Sequence, residues 1–192
     1  QKVSSIGQSI KLLVDHFKEK KQLIITGSSS INLLDNTSES LTGRKQVFTL
    51  FPLSACEIYK DKLSMIKELE QLLIYGAYPE VVKFKTFNEK IFLLNELNSS
   101  YLYRDLLEFQ KVKNAEIIFK LVRALSLQIG SEVSYNELSN LLGIDKKTVE
   151  HYIDLLEKSF IVFRLSAYRK NIRREITRTK KIYFYDLGIR NA

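Results

Sequence analysis

The chain has 192 residues, 30 lysines and arginines against 22 aspartates and glutamates for a formal net charge of +8, and a hydrophobic share of 45%. That length suits one ordinary domain or two small ones, and that apolar share allows a true core. The charge favours a polyanionic partner, and no run approaches the ~18 apolar residues of a membrane span, so no membrane partner is expected. The first nine residues have neither the basic start nor the apolar core of a signal peptide, which makes the cytoplasm the expected location. One cysteine, Cys56, excludes an internal disulfide, and with two distant histidines, His16 and His151, it gives no metal-ligand spacing. No structural metal is expected, and Cys56 reads as a buried, inert thiol.

In chain order, residues 3–20 form an amphipathic helix on paper, with Ile6, Ile10, Leu13, Val14 and Phe17 at helical spacing. Residues 23–26 run apolar without alternation, the pattern of a strand covered on both faces. That strand empties into Gly27, Ser28, Ser29 and Ser30. Such a carboxyl end suits a phosphate site, although composition favours the plainer reading, a turn that caps a following helix over 31–34. A second strand is predicted over 46–51 and a helix over 52–59, with Pro52 near its start. These elements make a small α/β unit ending near residue 60.

From residue 61 the pattern is helical. Helices are predicted over 63–75, 87–109 and 114–129, the last with Asn114 as N-cap and Gly130 beyond its end. Arg104 and Asp105 are adjacent, so each needs a partner on another element. The segment 134–158 predicts a helix, a turn at Gly143 and a longer helix capped by Asp145, a helix-turn-helix. Val149, Ile153 and Leu156 would hold the second helix down, while Lys146, Lys147, Glu150, His151 and Asp154 point outward. Two strands, 160–165 and 180–185, complete a winged helix, and between them lies a basic loop. Residues 166–181 hold Arg169, Lys170, Arg173, Arg174, Arg178, Lys180 and Lys181 against Glu175 alone, a net +6. Charge at that density favours nucleic acid through counterion release. The helix over 146–158 is itself neutral, with three lysines against Glu150, Asp154 and Glu157, so the wing is the better candidate for contact. A packing role against an acidic partner or a nucleotide stays open.

LIITGSSS at 23–30, LTGR at 41–44, FPLSACEIY at 51–59, YGAYPEVV at 75–82, YLYRDL at 101–106 and KIYFYDLGIRNA at 181–192 occur in an order that resembles one family. It is an AAA+ ATPase family whose core is followed by a long C-terminal region containing a winged helix. The resemblance implies the α/β remnant of an AAA+ core over 1–60, a helical bundle over 61–131 and a winged helix-turn-helix over 132–192, mostly helical in sum. Neither the G-x-x-x-x-G-K-[ST] phosphate loop nor a strand ending in Asp-Glu occurs, so the chain reads as a fragment that begins after the acidic pair and should not hydrolyse ATP alone.

For the intact protein the resemblance implies ATP and Mg²⁺, with none tightly bound by this chain. It makes Thr26 and Ser28 candidates to orient the attacking water, and Arg44 a candidate sensor or arginine finger, for which a surface ion pair with Glu39 or Glu57 is the plain alternative. DNA would be held by Lys146, Lys147, Arg169, Lys170, Arg173, Arg174, Arg178 and Lys180, and a second copy of the chain is the other candidate partner. The competing reading is a stand-alone winged-helix DNA-binding or adaptor protein without ATPase activity.

Overall fold

The computed structural model describes residues 6–17, 21–27, 44–101, 115–166 and 180–192. They divide into two units, Gln1–Leu50 and Phe51–Ala192.

In the first unit, α1 (Ile6–Phe17) forms where the apolar spacing predicts it, with Ile10 buried. The two predicted strands do not form. Residues 21–27 and 45–50 lie outside any strand, and the side chains expected inside a sheet face solvent, Ile24 at 77% and Leu50 at 96% exposure. A strand exists only through ladder partners for its N–H and C=O groups. Among the described residues of this unit no neighbouring strand supplies them.

The second unit begins with short helices. Ser54 caps α2 (Ala55–Ile58) in a reciprocal box with Glu57, so the helix starts after Pro52 and not at it. The carboxylate of Glu57, drawn into hydrogen bonds by the Ser54 backbone and hydroxyl, titrates below the usual range. Cys56 is exposed, contrary to expectation, because this four-residue helix has no buried face. The helix predicted over 63–75 is broken at Glu68 into α3 (Lys62–Lys67) and α4 (Leu69–Tyr75). The apolar stripe foreseen as a bundle face is largely solvent-facing, Leu63 at 64% exposure and Ile66, Leu69 and Leu73 also exposed. Pro79 opens an unforeseen α5 (Pro79–Lys83) at the position where a missing N–H costs least. Thr86 and Glu89 form a capping box at the start of α6 (Phe87–Glu96), which passes into a π-helical turn, Leu97–Tyr101. The rest of the helix predicted to 109, with Arg104 and Asp105, and the N-cap Asn114 lie outside the described residues.

The core of this unit is built by α7 (Ala115–Leu127), β1 (Glu132–Val133), α8 (Tyr135–Leu142), α9 (Lys146–Lys158), β2 (Val162–Leu165) and β3 (Lys180–Phe184), with a terminal α10 (Leu187–Asn191). The antiparallel sheet runs β1-β3-β2, with Phe163 opposite Tyr183 and Leu165 opposite Lys181. One sheet face, Val133, Val162, Ile182 and Phe184, is buried together with Ile118, Leu121 and Leu125 of α7, Leu138 of α8, and Val149, Ile153, Leu155 and Leu156 of α9. Each such fully buried side chain contributes about 1.5–3 kcal/mol over exposure. Leu141 of α8 is exposed. Gly130 and Gly143 take the positive φ that their turns demand, 78° and 67°. The described residues are mostly helical with this one small sheet, and no helix among them is long and apolar enough to cross a membrane.

Candidate nucleic-acid interface

Gly143 ends α8 in the left-handed conformation and Asp145 starts α9, accepting the Thr148 N–H at 2.9 Å and the Thr148 hydroxyl at 2.5 Å. Those bonds hold the Asp145 carboxyl below its ordinary range. They fix the first turn of α9, where Lys146 and Lys147 stand exposed, with Glu150 and His151 following on the exposed side.

Two of the three acidic residues of α9, Asp154 and Glu157, have a partner on β2. The Arg164 N–H donates to Glu157 Oε1 at 3.0 Å, its Nε donates to Glu157 Oε2 at 2.8 Å, and its guanidinium also pairs with Asp154 at 2.6 Å. The Arg164 side chain is only 18% exposed. Burial alone would lower its pKa, but hydrogen bonds with Glu157 and Tyr135 and the charges of Glu157 and Asp154 outweigh that and raise it. Asp154 is therefore half-covered and tied inward instead of pointing freely outward. Sequence reasoning counted Asp154 and Glu157 against polyanion binding; a single basic residue inside a predicted strand carried no signal that it would reach them.

Lys180 and Lys181 lie on β3, Lys181 exposed. Arg169, Lys170, Arg173, Arg174 and Arg178 lie outside the described residues, as does Ser28. Thr26 is exposed and Arg44 forms an ion pair with Asp15, while Glu39 lies outside the described residues. Among the described residues of Gln1–Leu50, Thr26 and Arg44 are not accompanied by a phosphate loop or a carboxylate pair. They do not fit ATP or Mg²⁺ by themselves, and no hydrolytic step is assigned to them. Among the described residues no cluster of three or more His, Cys, Asp and Glu is arranged to hold a metal ion.

Two of the sequence segments singled out above meet in space. The buried Asp186 accepts the Ala77 N–H at 2.7 Å and the Ile189 N–H at 3.1 Å. Burial pushes its carboxyl up, against the opposing pull of those N–H groups. Asn191 donates to the Leu73 and Ile74 carbonyls at 3.0 and 2.8 Å, and Arg190 donates to the Ser126 carbonyl at 3.1 and 2.9 Å. Thus α10 satisfies the open carbonyls near the ends of α4 and α7.

Comparison with known proteins gives a match for each part of the chain. Residues 66–192 match the model of a domain of unknown function, DUF8612, and residues 1–59 match a model described as an AAA domain, which supports an AAA-like ATPase family. An uncharacterized protein of Methanocaldococcus jannaschii is 26% identical over 76% of this chain and 37% of its own length. One of Mycobacterium tuberculosis is 24% identical over 98% of this chain and 42% of its own length, and one of Haemophilus influenzae is 26% identical over 88% and 44%. The chain thus spans less than half the length of these relatives. No solved structure matches it.

Proposed function

The chain belongs to the DUF8612 family over residues 66–192, and from that premise we propose that residues 132–192 are a winged helix through which an AAA-type ATPase holds DNA. The supporting order is helix, strand, helix, helix, strand, strand, with the wing strand β3 central in the sheet. The observation that carries the reading is the tie from Arg164 to Asp154 and Glu157. With those two carboxylates paired to Arg164, the exposed charged residues at the start of α9 are Asp145, Lys146, Lys147 and Glu150. The segment between β2 and β3 adds Arg169, Lys170, Arg173, Arg174 and Arg178. Each phosphate neutralised by these basic residues would release counterions.

On this reading residues 1–60 belong to the AAA core, 61–131 join it to the winged helix, and ATP and Mg²⁺ act in the whole protein. Thr26, Ser28 and Arg44 would serve that core only in company with groups this chain does not carry.

The test is fluorescence anisotropy of a labelled duplex across salt concentrations. The logarithm of the association constant should fall linearly with the logarithm of salt, with a slope that corresponds to several neutralised phosphates. Absent or salt-independent binding would remove DNA from the account.

A further inference from the structure

The end of α2, the break between α3 and α4, and the helices α4, α5 and α6 that pack on one another border a cleft of about 180 Å³. Its apolar lining comes from Ile58, Leu72, Val81 and Val82, of which Val81 is fully buried. The segment YGAYPEVV, singled out above and given no role in the nucleic-acid reading, supplies four of the lining residues. Three polar residues, Tyr59, Glu68 and Lys90, line the same cleft.

These three keep open valences among the described residues. Lys90 is half-buried; its ammonium donates to the uncharged Gln71 Oε1 at 3.0 Å and stands 5.3 Å from the centre of the Tyr75 ring, and it pairs with no carboxylate. An ammonium has three donors, and a partly desolvated one with an amide oxygen and a ring for company lacks a counterion. The Glu68 side chain caps no helix and forms no ion pair. Its charge is nevertheless felt by the Tyr59 hydroxyl, whose pKa is raised first by partial burial and then by Glu68, so the carboxylate lies beside that hydroxyl.

Glu68 and Lys90 are therefore opposite charges on one cleft that do not neutralise each other. An anion alone would be repelled by Glu68, and a cation alone by Lys90. A ligand that answers both carries one charge of each sign, and the aliphatic lining between asks for an apolar body. The volume is below the ~300–1,000 Å³ of clefts for drug-sized molecules, which limits the ligand to a small metabolite.

We propose that this cleft binds a free α-amino acid with an aliphatic side chain, its carboxylate on Lys90, its ammonium on Glu68 beside Tyr59, and its side chain against Ile58, Leu72 and Val81. The site shares no residue with the surface assigned to nucleic acid and stands independently of it.

The experiment follows the methyl resonances of Val81 and Val82 in the whole chain while L-leucine is added. Saturable shifts are expected, and Lys90→Met and Glu68→Gln should each weaken binding about 10-fold, the worth of one charge-assisted hydrogen bond. Glu68 is exposed, so Glu68→Gln should fold even where Lys90→Met does not, as circular dichroism would verify. N-acetyl-leucine, which lacks the ammonium, should bind more weakly than leucine and be indifferent to Glu68→Gln. Leucinamide, which lacks the carboxylate, should bind more weakly and be indifferent to Lys90→Met. No saturable shift with L-leucine up to about 20 mM would overturn the inference, as would equal affinity for all three compounds.

Discussion

Asp186 Oδ2 accepts the Ala77 N–H at 2.7 Å, a bond that joins segments 109 residues apart. Around that bond the chain leaves no room for side chains. A Cβ on Gly76 would stand 2.1 Å from Asp186 Oδ1, and one on Gly188 would stand 2.2 Å from the Tyr75 carbonyl oxygen. The two glycine-containing segments, YGAYP and YDLGIRN, are therefore two halves of one junction.

Gly76 also has φ 72° and ψ −163°, a combination essentially restricted to glycine. Gly76→Ala should cost at least ~2 kcal/mol from backbone strain and displacement of the Asp186 carboxylate. Gly143→Ala is the internal comparison, because Gly143 has a similar φ of 67° but open space around the added carbon. It should cost only ~1 kcal/mol. Urea unfolding of the two variants side by side checks the difference.

Asp186→Asn should destabilise by about 1–3 kcal/mol near neutral pH. The carboxylate offers one oxygen to Ala77 N–H and the other to Ile189 N–H, whereas an amide must turn its NH₂ toward one of those donors. The pH dependence has a definite sign. Burial raises the folded-state pKa of Asp186, so the folded chain binds its proton more readily than the unfolded one. The associated stabilisation is complete below the unfolded carboxyl range and is lost as pH rises through the raised folded value. Relative to the non-titrating Asn variant, wild type should gain stability as pH falls, measured by denaturant midpoints at a series of pH values.

Arg164→Met would leave Asp154 and Glu157 without their shared cation. Since these carboxylates are partly solvated, the loss should be about 1–2 kcal/mol, below that of a fully buried pair. The same variant should weaken duplex binding, because two acidic groups are then free at the surface of α9. Raised duplex affinity would show that Arg164 acts otherwise.

Lys146→Ala with Lys147→Ala should lower the slope of log affinity against log salt by up to ~2, about one for each phosphate no longer neutralised. An unchanged slope would place the phosphates elsewhere.

The C-terminal part of the fold was legible because its signals are local. Helical spacing, the Asp145 cap and Gly143 fixed α8, α9 and their turn, and the strands expected over 160–165 and 180–185 match β2 and β3 to within two residues at either end. The two-residue β1 was too short to give a period. The strands predicted over 23–26 and 46–51 failed for a different reason: apolar runs show what a segment could bury, not whether a neighbour is there to complete the ladder. The break at Glu68 interrupted an apolar stripe that continued on paper. At the site, the lysines of α9 could be read directly, whereas the Arg164 tie and the Asp186 junction depend on bonds between separate elements. The segments containing Gly76 and Asp186 drew notice through resemblance, without any indication that they touch.

The most direct test of the account is to follow backbone amide resonances of the chain while duplex DNA is added at moderate salt. The account predicts the largest shifts over residues 146–151 and 180–181, fading as salt is raised. Shifts centred on the exposed apolar helices over 62–96, or none at all, would contradict it.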